Sequence, residues 1–300
     1  MPELPEVESV RRSLLPHLRG ATVSAAILLR NDICESRNAR GGLVTSSPAR
    51  LLQGALITHI LRRGKQLAII ADDGRALCIH LGMSGQVLAI SPDRPAPDFT
   101  HIHATWLVRR PNANPTLILF RDPRRFGGLW TFPSLEALHR SRWNSLGPDA
   151  LDADPAHLHT AAKSSNRPIK ALLLDQSVLA GVGNIYADEA LFLARLHPRS
   201  SSNRLSPEDC HSLALAVRHT LAAAIQAGGS TLRDYRDADG RPGTAAASHH
   251  VYGRCGQPCT RCRTTLISDT IAQRSSVWCP QCQQHPNVPT QTSKKTPLRT

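Results

Sequence analysis

Two pairs of cysteines near the end of the chain constrain its fold more than any other feature. Residues 259–262 read CTRC and residues 279–282 read CPQC, with sixteen residues between the pairs. This spacing is typical of a structural zinc site, because each tight turn supplies two thiolates to a tetrahedral ion and the residues between form a β-hairpin. Four protein ligands leave no open position for a substrate. The residues predicted to hold one structural Zn²⁺ are Cys259, Cys262, Cys279 and Cys282.

The remaining cysteines indicate a reducing compartment. The chain has eight cysteines, five of them within 28 residues and three scattered, whereas a disulfide framework spreads over a small secreted chain. Cys255 lies outside the zinc spacing and is predicted to be a free thiol. The chain shows neither a signal peptide nor a run of about 20 apolar residues that could span a bilayer. These features predict a cytoplasmic protein with no membrane partner.

The charge balance favours a polyanionic partner. Lysine and arginine total 36 against 23 acidic residues, which gives a net charge of +13. Nucleic acid is the simplest explanation for such an excess, although a merely basic soluble protein has the same composition. Residues 251–300 contain seven basic residues and one acidic residue. An arginine-rich zinc hairpin predicts a nucleic-acid contact, with a solvated basic surface as the alternative.

Hydrophobic periodicity separates a β-rich first half from a helical second half. Residues 6–19 have apolar residues at helical spacing, and residues 22–132 contain short strand-like runs between turn residues. Residues 185–196 and 206–229 read as helices. The predicted fold class is α+β. The predicted units are a β-sandwich domain with a leading helix at 1–135, a helical domain at 136–249, a zinc finger at 250–283 and a disordered polar tail at 284–300.

Four local features make sharper predictions. Residues 66–81 read as a β-hairpin that turns at 72–74, where the sequence is Asp-Asp-Gly. The helix at 206–229 is expected to begin with a capping box of Ser206 and Asp209. Pro16 is expected to kink the first helix. Residues 236–249 are rich in glycine, proline and small residues and are predicted to form a mobile loop.

Six motifs occur in a fixed order along the chain. They are PELPEVE at 2–8, RRGKQL at 62–67, HLGMSG at 80–85, DPRRFG at 122–127, GVGNIYADEALF at 181–192 and the zinc pairs. Together they resemble the bacterial formamidopyrimidine-DNA glycosylases, from residue 2 to about residue 283. The leading PELPE is similar to these glycosylases rather than to their endonuclease VIII-like siblings.

The resemblance implies both an architecture and an activity. The architecture is an antiparallel N-terminal β-sandwich, a helical domain with a helix–two-turn–helix, and the zinc finger. The activity is that of a monomeric, nucleoid-associated repair enzyme that removes 8-oxoguanine and formamidopyrimidines from double-stranded DNA. It also cleaves the resulting abasic site by β,δ-elimination. Two alternatives remain open: an oxidised-pyrimidine glycosylase of the same family, and a non-catalytic zinc protein that binds damaged DNA.

The resemblance implies four catalytic residues. If Met1 is removed, Pro2 presents a secondary amine that can attack the sugar C1′ and form a Schiff base, and Glu3 is the expected general acid. By their residues alone, these two positions also fit an ordinary helix start. Lys65 is expected to donate a proton during β-elimination and to contact phosphate. Arg274, at the tip of the zinc hairpin, is expected to clamp phosphate rather than to donate a proton.

The resemblance also implies DNA contacts. Three residues match the group that fills the space left by an extruded nucleotide: Met83, Arg124 and Phe126. Five others match DNA contacts: His101, Arg125, Asn166, Lys170 and Asn184. The backbone amides of the Gly-rich turn beside Asn184 are expected to cradle phosphate. Ile271 replaces the usual histidine, Asn166 replaces a common basic residue, and the loop near 245 lacks an aromatic residue, which leaves the preferred lesion less certain than the chemistry.

Overall fold

The computed structural model describes residues 2–38, 40–90 and 100–284. Its first element is helix α1 (Leu4–Leu18), and the predicted apolar face of this helix is buried in the core of the sandwich domain. Pro16 lies in the last turn of the helix, where its missing N–H removes little of the hydrogen-bond ladder. The chain reverses just beyond, at Gly20, which has a φ of 75°.

Two sheets form the sandwich that follows α1. The strands are β1 (Thr22–Leu28), β2 (Cys34–Arg37), β3 (Leu43–Val44), β4 (Ile57–Arg63), β5 (Gln66–Ala71), β6 (Ala76–His80), β7 (Gln86–Ile90), β8 (Ile102–Arg109), β9 (Thr116–Arg121) and β10 (Gly128–Phe132). Four of them lie in the order β1-β8-β9-β7, and six lie in the order β3-β2-β10-β6-β5-β4. The pairing is antiparallel as predicted, except that β10 runs parallel to β2.

The predicted hairpin at 66–81 is confirmed as strands β5 and β6. Leu67 and Leu77 project into the core between the sheets and are fully buried. This main core joins side chains from both sheets to those of α1. The sandwich therefore places the start of the chain on a rigid support.

The second domain is helical. Helix α2 (Leu135–Leu138) precedes it and packs on the six-stranded sheet of the sandwich. The helices of the second domain are α3 (Pro155–Lys163), α4 (Ile169–Leu174), α5 (Asn184–Leu193) and α6 (Pro207–Gln226). The predicted capping box of α6 is confirmed, because Ser206 accepts a hydrogen bond from the backbone of Asp209 and the Asp209 side chain accepts one from the backbone of Ser206. Helices α3 and α4 were not predicted, because each is short and its apolar stripe covers fewer than three turns.

A buried arginine joins the two domains. Arg62, at the end of β4, donates to Glu8 of α1 (3.2 Å) and binds the carboxylate of Asp149 through two nitrogens (2.7 and 3.0 Å). Asp149 also accepts the backbone N–H of Gly64 at 3.0 Å. Paired donors of this kind fix an orientation as well as a distance. The turn that carries Lys65 is thus held against the helical domain.

The zinc pairs lie at one end of a two-stranded sheet, formed by β11 (Ile267–Ile271) and β12 (Arg274–Trp278). The four predicted sulfur ligands lie within 4.8 Å of one another, which fits one tetrahedral ion. Backbone N–H groups bond two of them, from Arg261 to Cys259 and from Cys282 to Cys279, each at 3.4 Å. The site is a structural zinc site, as predicted.

Cys255 lies outside this cluster, and its thiol contacts Ser268 at 3.1 Å, so it is not a ligand of the zinc site. The predicted disordered tail falls almost entirely outside the described residues. Within the part of the chain that is described, no helix combines the length and the apolar character that a membrane crossing requires.

Candidate active site and nucleic-acid interface

The carboxylate of Glu3 lies at the N-terminus of helix α5, in the other domain. Its oxygens accept hydrogen bonds from the backbone N–H groups of Gly183 (2.8 Å), Ile185 (2.9 Å) and Tyr186 (3.4 Å). The side chain is 2% exposed, and burial raises the pKa of Glu3 to about 7 against the opposing charge of Lys65. A carboxyl group with this pKa carries a proton part of the time at neutral pH, which suits a general acid.

The Gly-rich turn before α5 therefore has a different ligand from the predicted one. Its amide groups are expected from the sequence to cradle phosphate, but those of Gly183, Ile185 and Tyr186 bind the Glu3 carboxylate. The side chain of Asn184 points elsewhere and donates to the carbonyl of Ser275 at 2.9 Å. The helix terminus thus binds an anion, as its dipole favours, but the anion belongs to the protein itself.

A groove of about 650 Å³ opens beside Glu3 and is lined from both domains. Lys65 reaches it from the turn between β4 and β5, and Arg274 reaches it from the start of β12. Burial lowers the pKa of Lys65, while the carboxylates of Glu3 and Glu6 oppose that shift. The structure thus brings Glu3, Lys65 and Arg274 to one space, with Asn184 at its wall.

His80 lines the same groove and was not predicted as a site residue. Burial lowers the pKa of His80 to about 4, and the charges of Lys65 and Arg142 act in the same direction. Its Nδ1 accepts the backbone N–H of Gly82 at 3.2 Å, so the neutral ring carries its hydrogen on Nε2. His80 is therefore a neutral hydrogen-bond donor, and its position in HLGMSG is the signal that could have identified it.

A second cavity of about 320 Å³ adjoins the groove and shares with it the side chains of Met83, Ile185 and Tyr252. Pro2 and Glu6 line this cavity but not the groove. Its other wall comes from the segment after α6. The residues that this segment contributes are Ser230, Leu232, Arg233, Asp234 and Tyr235.

Two turns that carry the predicted void-filling residues pack directly on each other. Gly82, with a φ of 62°, lies so close to the backbone of Phe126 that an added Cβ would be 2.3 Å from the Phe126 carbonyl carbon. Met83 and Phe126 are 42% and 56% exposed, which is unusual for large apolar side chains. The guanidinium of Arg124 lies 5.0 Å from the centre of the Phe126 ring. The three predicted residues therefore form one exposed cluster.

Asp122 connects these two turns. Its fully buried carboxylate accepts the hydroxyl of Ser84 (2.6 Å) from one turn, and the backbone N–H groups of Arg124 (3.3 Å) and Gly127 (2.7 Å) from the other. An unpaired carboxylate at this depth would be strongly unfavourable, so these donors hold the turns together.

Two further predicted DNA contacts lie on exposed, constrained backbone. His101 has a φ of 62° and Arg125 a φ of 54°, and both side chains are exposed. Left-handed conformations of non-glycine residues are unfavourable and concentrate at functional sites. Asn166 is also exposed, and its side-chain oxygen accepts from Asn203 at 2.5 Å. The DNA contacts of these three residues remain predictions.

Lys170 lies near the groove, but its side chain is buried rather than exposed toward DNA. Its side chain has no exposed surface, and its ammonium group pairs with Asp188 (2.7 Å) and donates to Ser275 (2.9 Å) and Ser276 (2.6 Å). An ammonium group with these partners is not available to a DNA phosphate. The position therefore gives no support to the predicted contact; Lys170 instead fastens strand β12 to the helical domain.

Comparisons with known proteins agree with this architecture. The formamidopyrimidine-DNA glycosylase N-terminal domain model matches residues 1–129, the H2TH domain model of the same glycosylase matches 146–236, and a zinc finger found in FPG and IleRS matches 256–284. The chain is 40% identical over 293 residues to the formamidopyrimidine-DNA glycosylase of Marinobacter nauticus, covering 95% of this chain and 100% of the relative. It is 41% identical to the glycosylase of Chloroflexus aurantiacus, with 94% and 98% coverage.

The chain belongs to the formamidopyrimidine-DNA glycosylase family.

Solved structures of the family have the same fold. The MutM (FPG) protein of Thermus thermophilus superposes with a TM-score of 0.79 at 38% identity, covering 95% of this chain and 99% of that chain. The Lactococcus lactis Fpg in complex with DNA containing an abasic site superposes with a TM-score of 0.80 at 32% identity, with 94% and 99% coverage. The chain is thus a repair glycosylase by family, and its α+β fold and structural zinc site are those predicted from the sequence.

Proposed function

We propose that this glycosylase removes oxidised purines, namely 8-oxoguanine and formamidopyrimidines, from double-stranded DNA and then acts as an abasic-site lyase. The observation that carries the proposal is the position of Glu3. A carboxyl group with a pKa of about 7 borders a basic groove, and the neighbouring residue Pro2 lines the adjoining cavity. The nucleoid of the cytoplasm is the proposed site of action.

The two cavities suit the two ends of an extruded nucleotide. The phosphates lie in the groove near Lys65 and Arg274, and the base occupies the cavity lined by Pro2 and Glu6. The sugar then lies beside Pro2 and Glu3, where the cavities meet. Met83, Arg124 and Phe126 fill the space that the nucleotide leaves in the duplex. Solved family structures are complexes with DNA that contains an abasic site or carbocyclic 8-oxo-G, which supports a damaged nucleotide as the ligand.

Base release proceeds by exchange at the sugar C1′. Once Met1 is removed, the lone pair of the Pro2 nitrogen forms a bond to C1′ and the N-glycosidic bond breaks, with its electron pair leaving on the base and the hydrogen of the Pro2 nitrogen passing to that base. Glu3 protonates the ring oxygen as the C1′–O bond opens, and the Pro2 nitrogen keeps a double bond to C1′ as an iminium ion. Glu3 is then a carboxylate, which the amide groups of α5 stabilise.

Strand cleavage uses the iminium ion as an electron sink. Loss of a proton from C2′ sends electrons toward the iminium nitrogen and expels the 3′ phosphate, and a second elimination expels the 5′ phosphate. Burial lowers the pKa of Lys65, which increases the fraction of neutral amine that can accept a proton. Arg274 binds the departing phosphate as a permanently charged donor.

Borohydride trapping tests the nucleophile. The purified protein is incubated with a duplex containing one 8-oxoguanine and with sodium borohydride, and the linked peptide is identified by mass spectrometry. A covalent adduct at Pro2 is expected, and a variant that keeps one extra residue before Pro2 should give none. An adduct at a lysine, or an equal yield from the extended variant, contradicts the assignment.

Substrate competition tests the lesion class. Duplexes that carry 8-oxoguanine or thymine glycol are compared under single-turnover conditions at equal enzyme concentration. Faster release of 8-oxoguanine is expected. Release of thymine glycol alone would identify an oxidised-pyrimidine glycosylase, and DNA binding without release of either base would leave only a damage-binding protein.

A further inference from the structure

A buried hydrogen-bond chain connects His249 to the cavity assigned to the damaged base, which is called the base cavity below. Glu6 accepts the hydroxyl of Tyr186 at 2.5 Å and the backbone N–H of Ser230 at 2.7 Å. The Tyr186 hydroxyl lies 3.1 Å from the Ser230 hydroxyl, which lies 2.9 Å from Nε2 of His249. All four side chains are at most 9% exposed. Among them, Glu6 and Ser230 line the cavity.

The number of hydrogens in this chain fixes its direction. Burial raises the pKa of Glu6, whereas the hydrogen bonds from Tyr186, Ser230 and Glu3 favour its carboxylate form. In that form Glu6 is only an acceptor, so the Tyr186 hydroxyl donates to it. The Tyr186 oxygen can then accept the Ser230 hydrogen, and the Ser230 oxygen can accept one from His249. That complete sequence requires a hydrogen on Nε2 of His249. If Nε2 is bare, the Ser230 hydroxyl turns to the imidazole and Tyr186 loses its donor.

Several charged and titratable groups surround His249. The charge of Glu189, from α5, raises the pKa of His249, and that of the neighbouring His250 lowers it. The His249 ring lies edge-on to the Tyr252 ring, with 5.8 Å between the ring centres. Arg254 donates to its backbone carbonyl at 3.3 Å. Burial lowers the pKa of His249 below the usual value for histidine. The ring is therefore mainly neutral at pH 7, where two tautomers compete, and acid restores the hydrogen on Nε2.

Glu6 also connects the chain to the catalytic residues. Its second oxygen accepts the backbone N–H of Glu3 at 2.8 Å, which fixes the first turn of α1. The charge of Glu6 also contributes to the raised pKa of Glu3. A change in the donors to Glu6 is thus transmitted both to the wall of the base cavity and to the acid.

We propose that His249 is a positioning residue that directs the Ser230–Tyr186–Glu6 hydrogen bonds and so keeps the Glu6 side chain in place at the base cavity. The proposal rests on the proposed function, since the cavity is the one assigned to the damaged base. His249 touches neither the base nor the reacting atoms. Its effect is on how firmly the cavity and the Glu3 backbone are held, and that effect changes with the protonation of the imidazole.

Two substitutions at one position separate a hydrogen-bond donor from a titrating group. His249→Leu removes the donor, and His249→Gln keeps an N–H donor that does not titrate. Single-turnover release of 8-oxoguanine is measured from about pH 5 to about pH 9, around the range in which histidine titrates. The matched control is His250→Gln. His250 is a half-exposed neighbour whose ring pairs with Glu189 and not with the Ser230–Tyr186–Glu6 hydrogen bonds.

Because His249→Leu removes one hydrogen bond, the rate of base release at pH 7 should decrease by about threefold to tenfold. His249→Gln should stay within about threefold of the wild type and lose the pH-dependent component that the wild type shows in the histidine range. The control should keep the rate at pH 7 and the pH-dependent component, displaced only by the loss of the His250 charge that lowers the pKa of His249. A His249→Leu variant with the wild-type rate and profile overturns the proposal.

A spectroscopic measurement separates this proposal from the proposed function. The ring nitrogens of His249 are followed by NMR through a pH titration of the full-length protein without DNA. Ser230→Ala is expected to shift the His249 titration and the Nε2 signal, whatever lesion the enzyme removes. An unchanged His249 titration in Ser230→Ala means that the hydrogen-bond chain does not connect Ser230 and His249. The expected shift in a protein that releases no base disproves only the proposed function.

Discussion

Two opposing influences act on the proton of Glu3. Hydrogen bonds from the N-terminus of α5 favour the carboxylate, and burial at 2% exposure favours the carboxylic acid. Burial is the larger effect, because the pKa rises to about 7. The donors still contribute, because they stabilise the negative charge that Glu3 acquires once its proton has been transferred. Glu3 can therefore act as an acid, and its ionised form already has its hydrogen-bond donors in place.

The pH dependence of base release follows from this pKa. The protonated form of Glu3 is the active one, so its contribution to the rate should fall about tenfold per pH unit above about pH 7. Because the folded pKa exceeds the ordinary value of 4.5, this group also lowers stability as the pH rises from about 4.5 to about 7. Single-turnover rates on 8-oxoguanine duplexes measure this decrease in rate. Glu3→Gln should reduce release by at least about a hundredfold, and full activity in that variant would exclude the acid role.

Gly183 provides a steric test of the same position. A Cβ there would lie 2.3 Å from the carboxyl carbon of Glu3, although the backbone conformation itself accepts any residue. Gly183→Ala should displace the carboxylate and destabilise the fold by about 1 to 3 kcal/mol. Base release should fall by more than this destabilisation explains, as seen by comparing rates under fully folded conditions. Wild-type release by a folded Gly183→Ala protein contradicts the geometry.

At the scale of elements, the zinc hairpin has a constrained tip. Ala272 and Gln273 connect β11 to β12 with φ values of 50° and 58°. A two-residue turn with two positive φ values is a type I′ turn, which favours Asn-Gly. The double change Ala272→Asn and Gln273→Gly should therefore stabilise the hairpin by about 1 kcal/mol. Thermal unfolding of the zinc-loaded protein measures the change, and a lower midpoint would contradict the assignment of strain.

The elements differ in how well the sequence predicts them. Helix α6 and the β5–β6 hairpin were predicted because capping residues and turn residues mark their ends. Helices α3 and α4 were missed, because their stability comes from packing rather than from a periodic pattern. The segment at 236–249 was predicted to be mobile from its small residues. In the structure its Ala238 bonds the backbone of Ala89 at 2.8 Å and the hydroxyl of Ser13 at 2.9 Å, contacts that no local pattern encodes.

The candidate site shows the same limit. Pro2, Glu3, Lys65 and Arg274 were predicted because each lies in a motif. Glu6, His80 and Tyr252 line the cavities but were not predicted as site residues. Lys170 was assigned to DNA because its position matches a DNA contact of the family. Its burial depends on a partner, Asp188, that only the folded chain brings to 2.7 Å.

At the scale of the whole molecule, the Lys170–Asp188 pair joins α4, α5 and β12. Asp188 also accepts the backbone N–H of Val277 at 3.1 Å. Lys170→Met leaves Asp188 buried without its cation and should destabilise the protein by about 3 to 5 kcal/mol. A second change, Asp188→Leu, should recover much of this loss. Urea unfolding of the two single variants and the double variant measures the coupling.

The same variants distinguish a structural lysine from a DNA contact. Removal of one phosphate contact lowers the slope of log binding constant against log salt by about one. The double variant should keep the wild-type slope, because Lys170 has no exposed surface. Arg125→Gln serves as the comparison, since its side chain is 56% exposed and predicted to reach the backbone of DNA. A reduced slope in the double variant would restore the DNA contact of Lys170.

The bonds between Glu3 and α5 join residues that are about 180 positions apart in the chain. During synthesis the N-terminus leaves the ribosome long before its partners exist, so the acid has no site until more than half of the chain has emerged. Pro2 is buried once the domains meet. On the proposed mechanism, removal of Met1 from the nascent chain would therefore free the Pro2 nitrogen before the acid beside it has its site.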